Sequence, residues 1–493
     1  MKAPRSTTID HVLKYTAVFG GVQGLSILMS VVRNKLATVL LGAAGMGLMG
    51  IYQSVSEFVS STANLGLPFS SVRSISELFA TGDEAGIRRF VTVVRTWCLW
   101  TAIVAGLICV ACSPLLAQLF FTDDTSATWR PAMVAPLVMA TMITAGEMSI
   151  LKGMRRLKRV ATISVLCAVS VLCITIPIFW AMHTEGILLA LNITALVAMA
   201  IHLAFTLPIF RWHVELFSRS TLADGWPMIR VGIPYMLAAF AGSGVTMALT
   251  VIMLRSGTLE DIGFFRSAKL LMVSYAGIVF SALEADFFPR LSSVNHDRAQ
   301  RNSCINQQIQ VCVSLIGPFM IALAMCMPLV LAILFASEFS VIRPMAIAAV
   351  FYTFFRGITT PISYCALAHG DSLFYLVMEV IYDLASLGLI ATGFSLWGLL
   401  GAGIGLSASA LFDMVLITVC YSHIYGFRFE AHTLRIIATQ TCFVTATVAV
   451  CFMLTSTWQY VTGFTILAVS ALAALHSLSK RRIPTDPSTT SAH

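Results

Sequence analysis

Long apolar stretches recur along almost the whole chain, separated by short polar turns. Fourteen can be drawn: residues 12–41, 47–70, 94–112, 131–151, 160–179, 186–210, 230–254, 262–288, 305–330, 344–369, 372–392, 398–422, 435–455 and 459–479. About 20 apolar residues cross the hydrocarbon core of a bilayer as a helix. The pattern therefore predicts an all-α polytopic membrane protein with about 14 transmembrane helices. The segment from Ser71 to Arg95 reads differently. Thr81-Gly-Asp-Glu supplies capping and acidic first-turn residues, and Ile87, Phe90 and Val94 keep one apolar face. A partly helical loop lying on the membrane surface is expected there.

A weak internal repeat organises the stretches. Gly47-Leu-Met-Gly-Ile-Tyr-Gln-Ser opens the second and Asp261-Ile-Gly-Phe-Phe-Arg-Ser-Ala opens the eighth, each after a short turn. Two parallel six-helix lobes are expected, 1–215 and 216–430, joined through the polar linker 211–229. The last two stretches and a cytoplasmic tail, 431–493, form an appended pair. Transporters use such repeats, with the cargo site at the repeat interface. Gly20-x-x-x-Gly24 and Gly401-x-x-x-Gly405 are expected at close helix contacts.

Composition supports the membrane reading. Of 493 residues, 58% are hydrophobic and only 11% charged, against about 25% charged in soluble proteins. The first apolar stretch is longer than a signal-peptide core and lacks a small-x-small cleavage site, so it reads as a span. The bases alternate from gap to gap. With the N-terminus in the cytoplasm, 23 of the 31 Lys and Arg fall on the cytoplasmic side, 3 on the other (Arg130, Arg255 and Arg343) and 5 inside spans. This positive-inside pattern puts both termini in the cytoplasm. It also accounts for the net charge of +8 without nucleic acid. The twelve cysteines are scattered through apolar segments, and Cys109-x-x-Cys112 reads as buried small hydrophobes. No metal site is expected.

Candidate chemistry rests on charges left inside the spans. The five bases are Arg33, Lys35, Arg266, Lys269 and Arg356. Each costs about 2.5–3.5 kcal/mol at mid-membrane on insertion scales. Lys35, Arg266 and Lys269 share one level nearer the outer face, about 6–10 Å inside their spans. Arg266 and Lys269 share a helix face. Arg33 and Lys35 are about 200° apart, so only one can face a given cavity, and Lys35 is favoured. Arginine suits phosphate because its fork gives two parallel hydrogen bonds. The alternatives are snorkelling to the interface or pairing with buried acids: Glu57, Glu147, Glu284, Asp286, Glu379, Asp383 and Asp413. Glu379 and Asp383, four apart, could hold a cation, share a proton or simply neutralise Arg356. Glu57 with Gln53 and Asn64 could form a polar stripe on an aqueous cavity. His183 and His202 stand alone, with no nucleophile beside them.

The stretch Asn34-Lys-Leu-Ala-Thr-Val-Leu-Leu-Gly-Ala-Ala-Gly-Met-Gly-Leu, then Gly50-Ile-Tyr-Gln-Ser and Asn64-Leu-Gly-Leu-Pro, resembles bacterial polysaccharide flippases of the Wzx type, in the MATE/MOP exporter superfamily. Ser76-Glu-Leu-Phe-Ala-Thr-Gly-Asp with Arg88-Arg89 looks like that family's first long cytoplasmic loop. Asp261-Ile-Gly-Phe-Phe-Arg-Ser-Ala-Lys looks like the start of its eighth span. The resemblance implies a flippase, not an enzyme, in the bacterial inner membrane. Its cargo would be an undecaprenyl-diphosphate-linked glycan such as an O-antigen unit of lipopolysaccharide. The cargo would cross by alternating access through a cationic cavity, in which Lys35 and Arg266 match best. It also implies polysaccharide polymerase and chain-length proteins as partners. Related lipid II flippases have a cation site among helices 7, 11 and 12; Glu379 and Asp383 resemble its helix 11 part and Asp413 lies in helix 12. Helix 7 here has no acid between Val231 and Met253, so coupling to Na⁺ or H⁺ is left open and no cofactor is implied. A multidrug or cation antiporter of the same superfamily would need acids in its first span, which instead carries Arg33 and Lys35. A membrane glycan polymerase or acyltransferase would need a large outer loop, and none is drawn.

Overall fold

The computed structural model describes residues 6–120, 129–275, 287–288, 290–454 and 457–479. Glu284 and Asp286, named above as candidate partners, lie outside the described residues, as do the terminal bases Lys2, Arg5, Lys480, Arg481 and Arg482. Among the described residues every regular element is helical. That is what a chain without polar surface requires, since only internal hydrogen bonds can satisfy its backbone in lipid.

The helices are α1 Ser6–Ala63, α2 Leu67–Thr81, α3 Glu84–Ala111, α4 Ser113–Phe120, α5 Ala135–Gly153, α6 Leu157–Met182, α7 Ile187–Thr206, α8 Arg219–Ser256 and α9 Leu259–Lys269. They continue as α10 Arg298–Met325, α11 Met327–Leu334, α12 Arg343–Ala348, α13 Val350–His369, α14 Ser372–Tyr425, α15 Ala431–Met453 and α16 Thr457–Ser479. Among the described residues nine helical runs are long and apolar enough to cross a membrane, and a tenth arises if the pair 337–348 and 350–369, bent by 43°, counts as one. The protein is thus an all-α polytopic membrane protein.

Three of these runs, 24–63, 157–206 and 372–425, hold 40, 50 and 54 residues. At 1.5 Å per residue they are about 60–80 Å long, at least twice the ~30 Å hydrocarbon core. Each has a break. Turns were expected at 42–46 and 393–397, but the helix runs on and bends at Gly42 (φ 66°) and at Trp397–Gly398 (Gly398 φ 58°). Positive φ is cheap only for glycine. The third break is the 3₁₀ turn His183–Gly186. The loop expected at 71–95 resolves into α2, ended by Gly82, and α3, capped by Asp83, whose carboxylate accepts from the Gly86 amide at 2.8 Å.

The chain divides into two compact units, residues 1–263 with 333–338, and 264–332 with 339–493. In the first, α1 packs on α6 and α8, and α5 lies among α2, α3 and α7. Leu67, Ile75, Val91, Val94, Ile150 and Ile229 form one apolar core. From the sequence a lobe boundary is expected in the linker 211–229; in the structure α8, beyond that linker, packs with α1, α2 and α3. The repeated sequence motifs have a packing reason. A Cβ at Gly47 would collide with the Leu259 carbonyl, and one at Gly263 with the Ala43 carbonyl, so the two motif segments touch backbone to backbone. Of the expected glycine contacts, Gly401 and Gly405 pack on the backbone of Gly393 and of Leu389–Ile390, whereas Gly24 has open space beside it.

In the second unit α13 packs on α14, and α10 is flanked by α13, α15 and α16. Buried polar bonds hold the last pair to α10 and its two helices to each other. Gln310 Nε2 donates to Thr433 Oγ1 at 2.8 Å, and Ser470 Oγ to Gln440 Oε1 at 2.7 Å. Such bonds glue helices in lipid, where burial alone drives little association.

Candidate functional site

In the first unit the candidate bases sit on α1. Arg33 is half-buried and donates to Asn34 Oδ1 at 3.2 Å. Lys35, Thr38 and Gly42 recur at i, i+3 and i+7 and so share a face. That face meets the segment 335–338. Lys35 Nζ donates to the Phe335 carbonyl, and the Ala336 amide donates to Thr38 Oγ1 at 3.0 Å. Glu338 fills the space where a Gly42 Cβ would stand, 3.3 Å from its carboxylate. A base on carbonyls that end a helix is a favourable arrangement, because those carbonyls carry the negative end of the helix dipole. Glu57 is exposed on the same long helix, and Asn64 instead shapes the turn into α2 by accepting from the Gly66 amide at 2.8 Å.

The second unit gathers most of the other candidates. Arg266 and Lys269 lie half-buried in the last turns of α9. A π-helical turn, Leu270–Tyr275, follows at once, and its Met272 carbonyl accepts from Thr353 Oγ1 at 2.5 Å. Such turns shift the register of a helix face and occur often at functional sites. Arg356 of α13 donates from Nη1 to Asp413 Oδ2 at 3.0 Å, and its guanidinium carbon lies 5.2 Å from the Tyr382 ring centroid. Asp413 is 2% exposed. Tyr375 is within electrostatic reach of Glu379, and Asp383 of Glu379, Lys269 and Arg356. Glu379 and Asp383 come from one arm of α14 and Asp413 from the other, beyond the bend at Gly398. Two bases and three acids therefore share one neighbourhood. For Arg356 the structure realises the paired alternative that the sequence left open. Among the described residues no group of three or more His, Cys, Asp or Glu is arranged to hold a metal ion.

Two arginines counted from the sequence as cytoplasmic loop bases turn out to be buried. Arg95, 3% exposed, makes a forked pair with Glu147: Nε to Oε1 at 2.7 Å and Nη2 to Oε2 at 2.9 Å. Its Nη1 also donates to the carbonyls of Phe210 (3.2 Å) and Arg211 (2.9 Å) beyond the end of α7, and Trp212 stacks at 5.1 Å. Arg301, 6% exposed, donates to the carbonyls of Asn295 (3.0 Å) and Tyr425 (2.6 Å) and to His369 Nε2 (3.2 Å). Only position could have flagged them: each opens the third long helix of an expected lobe and ties it to the end of the sixth. The linker after α7 is fastened to α3 as well. The Glu215 amide donates to Thr96 Oγ1 at 3.1 Å and Trp100 Nε1 to the Leu216 carbonyl at 2.8 Å. Hydrogen bonds from Thr221 and His213 hold the Glu215 carboxyl below the usual carboxylate range.

Comparison with known proteins adds the family. The chain is similar in fold to the lipid II flippase MurJ in an inward closed conformation, with TM-score 0.70 and 14% identity over 94% of this chain and 99% of that one. It is similar to an inward-facing multidrug resistance MATE family transporter of the MOP superfamily, with TM-score 0.64 and 16% identity over 81% of this chain and 95% of that one. It also resembles a MOP superfamily transporter from Pyrococcus furiosus, described by a binding pocket of reversed polarity that suggests a different function. There the TM-score is 0.54 and the identity 15%, over 82% of this chain and 93% of that one. At these identities the likeness is one of fold. A search of curated proteins finds no match. The family model described as "Polysaccharide biosynthesis protein" matches residues 12–295, more than half of the chain. With the fold of the MOP superfamily transporters around its buried charges, the chain belongs to the polysaccharide biosynthesis protein family.

Proposed function

We propose that this protein flips an undecaprenyl-diphosphate-linked oligosaccharide, an O-antigen unit or a related surface-polysaccharide repeat, from the cytoplasmic to the periplasmic leaflet. The observation that carries the reading is the first membrane helix of a polysaccharide biosynthesis protein bearing Arg33 and Lys35, with no acid between Asp10 and Glu57. A diphosphate cannot cross hydrocarbon unpaired. Lys35 and Arg266, then Lys269, are the groups to grip it, with Arg33 and Arg356 in supporting positions. Glu57, Glu379, Asp383 and Asp413 are the candidates for coupling to H⁺ or Na⁺. An inside-negative potential favours outward movement of the anion by about 2.3 kcal/mol per charge per 100 mV.

The topology in this reading has fourteen crossings and both termini in the cytoplasm of a bacterial inner membrane. Fourteen crossings follow if the three longest helical runs each cross twice and the bent pair and the apolar sequence 262–288 once each. The lobes are 1–215 and 216–430, with the pair in 431–493 appended and polysaccharide polymerase and chain-length proteins as neighbours. The test is a leaflet assay on a tagged lipid-linked glycan in proteoliposomes. Lys35→Ala with Arg266→Ala lowers the flipping rate at least tenfold in protein that still folds. Unchanged flipping, or transport of a cationic dye instead, overturns the reading.

A further inference from the structure

A cavity lies away from the membrane-embedded charges, within the first unit, and we propose that it binds the headgroup of an anionic phospholipid of the phosphatidylglycerol type. The cavity holds about 310 Å³, the lower end of the range for small-ligand sites. It forms where four helix ends meet. The end of α2 contributes Phe79, the start of α3 Glu84 and Arg88, the turn after α5 Arg156, and the turn after α7 Ile209 and Phe210. The lining is thus partly apolar and partly charged.

The charged part is open to a ligand. Arg88 is only loosely paired with Glu84, at 3.9 Å with both side chains mostly exposed. The Arg156 side chain has no hydrogen-bond or ion-pair partner among the described residues. Its neighbour Arg159 is used up on the Phe205 carbonyl at 2.7 Å, capping α7. The turn that presents Arg156 contains Arg155 at φ 54°, a backbone region that residues other than glycine seldom take. The structure therefore tolerates an unfavourable turn beside a guanidinium left without a protein partner.

The charges select the class of lipid. Arg88 and Arg156 against Glu84 leave one net positive charge on the lining. A single phosphodiester balances it, held by the guanidinium forks. Glu84 then accepts hydrogen bonds from headgroup hydroxyls, which a glycerol headgroup supplies. The first methylenes of the lipid lie on Phe79, Ile209 and Phe210. A diphosphate would bring more negative charge than the lining balances and would face the Glu84 carboxylate. An ethanolamine headgroup would satisfy Glu84 but leave the lining's positive charge uncompensated. Basic pockets between helices on the cytoplasmic side are suited to anionic headgroups for the same reason. This site stands independently of the transport reading.

The experiment is native mass spectrometry of the whole delipidated protein, titrated with phosphatidylglycerol, phosphatidylethanolamine or undecaprenyl diphosphate. In Arg88→Gln with Arg156→Gln, phosphatidylglycerol affinity is expected to fall at least fivefold. In Arg73→Gln, whose pair with Glu77 on α2 lies outside the cavity, it stays unchanged. Equal affinity in the double variant and the wild type overturns the proposal. So does equal binding of phosphatidylethanolamine with equal loss in the variant, and so does a parallel loss for undecaprenyl diphosphate, which would assign the cavity to the transported lipid. A photoactivatable phosphatidylglycerol on the wild-type protein gives a readout free of any folding defect. Crosslinks to Phe79 or Phe210 support the site, and crosslinks elsewhere only overturn it.

Discussion

Each of the two units holds a base on a buried carboxylate and further bases on backbone carbonyls, but at different places. In the first unit the carboxylate pair is Arg95–Glu147, with Arg95 in the first half of α3, and Lys35 is bound to a carbonyl. In the second unit the carboxylate pair is Arg356–Asp413, and Arg301, at the start of α10, is bound to carbonyls. The difference has an energetic meaning. A base taken from a carboxylate leaves a buried charge behind, which costs several kcal/mol. A base taken from a carbonyl leaves only a weaker dipole, about 1–3 kcal/mol. Arg356 is therefore bound into its own unit by a charge, whereas the Phe335 carbonyl holds Lys35 by a dipole.

The largest effect that can break this comparison is at Glu147. Glu147→Ala strands Arg95 in a site that water does not reach. Thermal unfolding of the purified protein should show a loss of about 3–5 kcal/mol. Replacing both, Arg95→Met with Glu147→Leu, should restore most of it. A single variant as stable as the wild type would mean that Arg95 rests on the Phe210 and Arg211 carbonyls alone.

Asp413→Asn should cost less, because the amide oxygen that replaces the carboxylate can still accept from Arg356 Nη1. The same unfolding measurement, run beside Glu147→Ala, ranks the two pairs. A larger loss at Asp413 would reverse the ranking.

The smallest effect is at the linker. The Glu215 carboxyl is held below its usual range by Thr221 and His213. Its contribution is therefore fully present above the unfolded carboxylate pKa and is lost as pH falls through the lower folded value. Protease nicking of 207–218 should rise on acidification in that window, and Glu215→Gln should remove the dependence. Nicking that does not change with pH would contradict this account of the linker.

Much of this fold was legible in the sequence because lipid leaves few choices. Apolar runs marked the helices, and Asp83 and Gly82 marked the junction of α2 and α3. Gly47 and Gly263 stood out as a repeat before their backbone contact was visible. What stayed hidden depends on partners distant in sequence. Arg95 and Arg301 look like ordinary loop bases until the ends of α7 and α14 arrive beside them. The breaks at Gly42 and Gly398 look like turns because a glycine-rich run does not show that the helix resumes after one residue. The candidate bases were legible as types, but Arg356 was not distinguishable from Lys35, since only the bend in α14 brings Asp413 within 3.0 Å.

Lys35 tests the central claim most directly. Lys35→Met removes the hydrogen bond to the Phe335 carbonyl, an interaction worth about 0.5–1.5 kcal/mol. In proteoliposomes the same variant should flip the lipid-linked glycan at least tenfold more slowly, with partial recovery in Lys35→Arg. A Lys35→Met protein that flips at the wild-type rate would contradict the account.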